Sequence, residues 1–165
     1  MASASGKVLE QPAVEVVTGA YRVTSSVTKV QTENREGIYN LTQMVRDFVK
    51  SSGVKAGSVM VSSMHTTCAI LINEWQDALV DDMKAYLQGL VDASTYYKHN
   101  DPKWSDCDRH NADSHLRSLL LGSTLTFQIA DGEIVLGEWQ SVIMAELDGP
   151  RERTVRLQAM GVAST

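Results

Sequence analysis

The chain reads as an α+β domain, and three observations predict this. Segments with period-two alternation of apolar residues open and close the chain. Segments with the helical i, i+3, i+4 spacing are grouped between them. Strand and helix do not alternate as βαβ units would require. At 165 residues the chain fits one compact domain that can bury a core without staples. The expectation is a β-rich core, as a mixed sheet or a sandwich, with two main helices and one short helix. Residues 13–162 are read as that domain, and residues 1–12 as a flexible tail. Its start, Met1-Ala2-Ser3-Ala4-Ser5-Gly6-Lys7, is small and polar and lacks the apolar segment of a signal peptide.

The elements follow in order. From Val14 to Val30 the pairs Val14, Val16 and Tyr21, Val23 alternate around Gly19, which predicts two strands. Gln31 to Gly37 is turn-like. Tyr39 to Ser51 is helical, with Leu41, Met44, Val45, Phe48 and Val49 on one face, Asn40 or Thr42 as cap and Gly53 as stop. Ser58 to Met64 and Ile70 to Ile72 read as strands flanking His65-Thr66-Thr67-Cys68-Ala69. Gln76 to Leu90 returns to helix, with Leu79, Val80, Met83, Tyr86, Leu87 and Leu90 as its stripe. Tyr97 to Asn111 has no period and is read as loop. Asp113 starts a short helix that ends at Gly122. Leu125, Phe127 and Ile129 alternate in a strand leading to Asp131-Gly132, a type I′ hairpin signal. Ile134 to Leu136 and Trp139 to Leu147 continue as strand, with Gly137 as a bulge, and Thr154 to Met160 is the last strand.

Composition narrows the function. A net charge of −5 argues against a surface built to neutralise nucleic-acid phosphates. No apolar run reaches the ~18 residues that span a bilayer. Two cysteines, Cys68 and Cys107, form no CxxC pair, which fits reduced thiols in a cytoplasmic protein. The aspartates on either side of Cys107 make it a poor nucleophile. No P-loop, dinucleotide fingerprint, nucleophile elbow or EF-hand loop is present.

The chemistry-bearing residues concentrate in the stretch His99–Gly122. It holds His99, His110 and His115 together with Asp101, Asp106, Asp108 and Asp113. Imidazole and carboxylate suit zinc or another divalent ion, yet the spacing matches no strong metal signature, and His65 would have to be brought in by the fold. His65 between two β runs either faces a cleft or pairs with a backbone group. Thr66 and Thr67 carry hydroxyl donors suited to an anion, and are also ordinary strand residues. Glu74 is a candidate base or histidine-orienting group, and Asn73 a candidate helix cap. Trp139 is either a core or interface aromatic or part of a site with Glu138 and Gln140. Arg151, after a Gly-Pro turn, is a candidate phosphate clamp, while Arg153 and Arg156 read as a solvated face.

His65-Thr66-Thr67-Cys68-Ala69 with Asn73-Glu74, Tyr97-Lys98-His99-Asn100-Asp101, Asn111 with Ser114-His115-Leu116 and Leu121-Gly122, Gly137-Glu138-Trp139-Gln140 and Gly149-Pro150-Arg151 together resemble the YjbQ family, also called secondary thiamine-phosphate synthases. The likeness is collinear from about Tyr21 to Met160. It implies a compact α+β domain that assembles as a homotrimer. It also implies joining of a hydroxymethylpyrimidine diphosphate to a thiazole phosphate with loss of diphosphate. His65, His99 and His115 match the family's histidines, and Glu138, Trp139, Gln140 and Arg151 its C-terminal motif. His110 departs from the pattern, as do Asp113 and Ser114.

The reading that results is an enzyme acting on a phosphorylated small molecule. His65, Glu74, His99, Asp101 and His115 are its catalytic candidates. Thr66, Thr67, Asn73, Asn111, Glu138, Trp139, Gln140 and Arg151 are its substrate-binding candidates. His65, His99 and His115 are candidate ligands of a divalent metal, zinc or magnesium, with Asp101 or Glu74 orienting one imidazole. The alternative is a non-catalytic metal- or ligand-binding homotrimer.

Overall fold

The computed structural model describes residues 14–163, so the expected 1–12 tail lies outside the described residues. Two antiparallel sheets face each other. The larger has five strands in the order β1 (Tyr21–Gln31), β8 (Glu152–Ala163), β3 (Val54–Ser63), β5 (Thr124–Ala130) and β6 (Glu133–Ile134). The smaller has three, in the order β2 (Gly37–Asn40), β7 (Ser141–Glu146) and β4 (Cys68–Asn73). Three helices, α1 (Thr42–Ser52), α2 (Asp77–Leu90) and α3 (Ala112–Leu121), lie between the strands in sequence. Of the two cores expected, the structure adopts the sandwich, because every ladder is antiparallel. No helix among the described residues is long and apolar enough to cross a membrane.

The small sheet is buried on both faces, and this explains the unbroken apolar character of Ser141–Glu146. Cys68, Ile70, Val142 and Met144 face the large sheet and α1, joining Val45, Val49, Val59, Val61, Val155 and Leu157 in the main core. Ala69, Ala145 and Leu147 point the other way, onto Leu87 of α2 and Leu121 of α3. The three helices therefore split between two layers. One helix completes the sandwich, and two cover the outer face of β4 and β7.

Local signals placed the helices well. The apolar stripe of α1 is buried, and Gly53 stops the helix in the left-handed conformation at φ 72°. Asn40 Oδ1 accepts from Thr42 N–H at 2.9 Å at its start. Gln76 caps α2 by accepting from Leu79 N–H at 2.8 Å, so Asn73 is not the cap. Asp131 and Gly132 take φ 53° and 80° and close the two-residue β5–β6 hairpin.

Four expectations are corrected. The predicted pair of strands in Val14–Val30 is one long strand, β1, and residues 14–20 have no regular structure. Gly19 does not turn a hairpin but passes tightly over the Val162 side chain. Tyr39 and Asn40 belong to β2, whose pairing with β7 outweighs their helical spacing. Trp139 and Gln140 lie outside any strand, and Gly137 is no bulge. It begins the turn that carries the chain from one sheet to the other, donating to Gln140 Oε1 at 2.8 Å. Arg153 is no solvated face, since it is fully buried between the sheets.

Gly57 on β3 lies opposite Gly161 on β8. A Cβ at Gly57 would stand 2.1 Å from the Met160 carbonyl oxygen and 2.7 Å from Gly161 Cα, both backbone atoms that cannot step aside. Gly57→Ala is expected to cost about 1–3 kcal/mol as an overpacked site. Urea denaturation measures it, and a variant as stable as the parent would contradict the close approach.

Candidate functional site

The turn from β3 to β4 carries His65, Thr66 and Thr67, and α3 carries His115 in its first turn. A cavity of about 450 Å³ opens between them, walled by His65, Thr66, His115, Leu116 and Leu119. A second of about 320 Å³ lies on the other side of His115, against Tyr97, Lys98 and His99. His115 and Leu116 form the partition. The His99 and His115 rings meet edge to face with centroids 5.0 Å apart.

The orientation of His65 is set by one hydrogen bond. Thr154 N–H donates to its Nε2 at 2.7 Å. A neutral imidazole that accepts at Nε2 carries its proton on Nδ1. That N–H makes no hydrogen bond among the described residues. The ring also titrates below the usual histidine range, first because it is partly buried and then because Arg153 lies within electrostatic reach. His115 is lowered as well, by burial and then by His99, with Asp148 and Asp113 opposing. Near pH 7 both rings are therefore uncharged.

These facts bear on the metal expected at His65, His99 and His115. His65 uses Nε2 as a backbone acceptor and holds a proton on Nδ1, so neither nitrogen is a free lone pair. Among the described residues no group of three His, Cys, Asp or Glu is placed to hold one metal ion. The three histidines thus gather around the cavities without the geometry of a metal centre among the described residues.

The remaining candidates separate into two groups. Asn111 is buried at the start of α3 and donates from Nδ2 to Asp148 at 2.8 Å. Thr67 is also buried, its hydroxyl and carbonyl taken by Arg153. Asp101 does not reach an imidazole. It accepts from Tyr96 Oη at 2.7 Å and from Lys103 N–H at 2.9 Å, and the Tyr96 bond holds its carboxyl below the usual range. Arg151 lies at the histidine end, 3.2 Å from Asp148. Asn73, Glu74, Glu138, Trp139 and Gln140 do not join it. They flank the other end of β4, where Asn73 pairs with Ser141. At roughly 3.3 Å per residue, the ends of β4 are about 17 Å apart.

Three residues at the histidine end carry more of its structure than the sequence reading assigned to them. They are Asp148, Arg109 and Glu146. Asp148 accepts from Arg109 Nε at 2.9 Å and Nη2 at 3.0 Å, from Asn111 and from Arg151. Burial would raise its pKa, but the hydrogen bonds from Arg109 and Asn111 outweigh this and hold it low. Glu146 behaves alike: burial opposes ionisation, and the bond from Arg153 prevails. The available signal was the Asp148-Gly149-Pro150-Arg151 run, in which an acid and a base flank a turn.

The shifts of His65, His115, Glu146 and Asp148 are all downward, so their effect on stability has one sign. The unfolded chain takes up protons first as pH falls, and folding loses free energy over that interval. For His65 and His115 the loss begins near pH 6.5, and for Glu146 and Asp148 below about pH 4.5. The urea midpoint is expected to be level from pH 7 to 8.5, to decline below 6.5 and to fall again below 4.5. A midpoint unchanged between pH 7.5 and 5.5 would contradict the histidine assignment.

Comparison with known proteins agrees with this architecture. A family model described as UPF0047 protein YjbQ-like matches residues 26–162. A UPF0047 protein of Methanothermobacter thermautotrophicus is 40% identical over 132 residues, 80% of this chain and 88% of its own length. The UPF0047 protein YugU of Bacillus subtilis is 29% identical over 81% of this chain and 96% of its own. Among solved structures, a YbjQ-like protein of unknown function from Sulfolobus solfataricus superimposes with a TM-score of 0.80 at 30% identity, covering 86% of this chain and 99% of its own. With a family model spanning most of the domain and relatives matched along nearly their full length, the chain belongs to the YjbQ-like UPF0047 family.

Proposed function

We propose that the chain is a transferase acting on phosphorylated small molecules, of the thiamine-phosphate synthase type. The observation that carries this reading is a cavity walled by His65 and His115, both uncharged near pH 7, with the Arg151 guanidinium close enough for its charge to act on the His65 ring. His65 offers a fixed Nδ1–H donor. Thr66 adds a hydroxyl, and Arg151 a cation for phosphate. In the reaction, a ring nitrogen of the thiazole phosphate attacks the pyrimidine methylene carbon. A C–N bond forms as the C–O bond to diphosphate breaks, and the electron pair leaves on the diphosphate oxygen. Donors aimed at that oxygen stabilise the charge that builds there.

Purified protein given hydroxymethylpyrimidine diphosphate and thiazole phosphate is expected to form thiamine phosphate and release diphosphate. His65→Ala and His115→Ala should each lower the rate about a hundredfold or more, the lower end of the range for a positioned acid–base group. No product from the parent protein would sink the proposal.

A homotrimer is part of the same reading. Leu119 and Leu120 on α3 are 77% and 62% exposed beside the cavity. The motif residues are also divided between two ends of one sheet. A partner subunit would cover the leucines and bring the Glu138–Gln140 end toward the histidines. Light scattering is expected to give three times the chain mass for the parent protein and the chain mass for Leu119→Asp. A monomeric parent would overturn this part.

A further inference from the structure

We propose that Arg109 and Arg151, both braced on Asp148, form a two-guanidinium site for a tetrahedral oxyanion, a phosphate ester or a diphosphate. The inference rests on the phosphorylated-substrate reading above and adds to it the arginine from the long loop. Asp148 is the pivot. Its side chain is 1% exposed, while those of Arg109 and Arg151 are 44% and 31% exposed. Arg109 spends Nε and Nη2 on the Asp148 carboxylate, and Nη2 also donates to the Asp148 carbonyl at 3.1 Å. Arg151 spends Nη2. Among the described residues, Arg109 Nη1 and Arg151 Nε and Nη1 make no hydrogen bond. Arg109 thus has one edge fixed by the buried carboxylate and Arg151 one nitrogen, and both keep donors that suit phosphate oxygens.

Charge accounting locates the need for an anion at this spot. Glu146 neutralises Arg153. Asp113 and Glu36 face Arg117 and Arg35, two against two. Two guanidiniums on one Asp148 leave a surplus of one positive charge. Asp108, the exposed neighbour of Arg109, acts on it through its charge from the solvent side but forms no ion pair with it among the described residues, so its side chain occupies none of the guanidinium's free donors. The surplus stands out in a chain whose net charge is −5. It also lies within electrostatic reach of His65, whose ring feels Arg151, and of His115, which feels Asp148. Asn111 and Ser114 tie the Asp148 segment to the start of α3, the helix that carries His115, so an oxyanion held by the two arginines would lie next to that helix start.

Isothermal titration of the full chain with inorganic diphosphate, and separately with phenyl phosphate, tests the assignment. Saturable binding of one anion per chain is expected. Arg151→Gln and Arg109→Gln should each weaken it at least tenfold, and Lys103→Gln, a cation on the same loop, should leave it unchanged. Because Arg109→Gln removes the principal partner of a buried carboxylate, Arg109→Lys serves as a second variant. It keeps the charge, loses the fork, and should also bind more weakly. Tighter binding of inorganic diphosphate supports a site for the departing group, and tighter binding of phenyl phosphate a site for a retained ester. No saturable binding of either anion, or binding unaffected by Arg151→Gln and Arg109→Lys, overturns the site. Anion binding without formation of thiamine phosphate sinks the transferase reading alone. Turnover that ignores both arginines sinks this site alone.

Discussion

Glu146 and Arg153 meet where the two sheets come together, and the histidine end of the molecule is built around that contact. Glu146 is the last residue of β7 in the small sheet, and Arg153 is near the start of β8 in the large one. Both are fully buried, and Arg153 Nε donates to Glu146 Oε2 at 2.6 Å. Burying two charges is costly, and mutual attraction offsets the cost only when the remaining polar atoms are also satisfied. Here they are. Thr32 Oγ1 and Asp148 N–H donate to Glu146, and Thr67 accepts from Arg153. Four separate parts of the chain are thereby tied to one pair of charges. A one-residue slip of either strand would turn Glu146 or Arg153 to the opposite face, so the pair also fixes register.

The consequences extend outward from that pair. Because Thr67 is held by Arg153, the turn bearing His65 and Thr66 is held against the start of β8, where Thr154 N–H meets the His65 ring. Because Glu146 accepts from Asp148 N–H, the Asp148 carboxylate is set one step further out, where Arg109, Asn111 and Arg151 converge on it. Ser114 donates its hydroxyl to the Leu147 carbonyl and ties α3, with His115, to the same segment. The interior ion pair is structural, and the ionic cluster next to it is half open to solvent. The first has spent its donors, whereas the second keeps donors that face solvent.

The division of the motif residues along β4 is a second constraint. One chain places the histidines and Arg151 at one end of the small sheet and Glu138, Trp139 and Gln140 at the other. Trp139 is 67% exposed, so it is no core aromatic of the single chain. Side chains at opposite ends of one strand cannot act on one small molecule within a chain.

What the sequence determined by itself was local. The three helices, the Asp131-Gly132 hairpin, the Gly53 stop and the β5 alternation follow from periodicity and turn chemistry within a few residues, and His65, His99 and His115 were legible as a group through the family likeness. Tertiary structure decided the rest, because the deciding contacts lie far apart in the chain. β1 pairs with β8 across more than a hundred residues, which no local period reports, and so a single long strand looked like two. Arg153 looked like a surface charge because its partner Glu146 lies on a different sheet. Thr67 and Asn111 carry polar groups suited to a ligand, but long-range hydrogen bonds consume them. His65 was identified as a site residue from sequence, whereas its tautomer, and with it the kind of contact it can make, was set by a backbone N–H eighty-nine positions away.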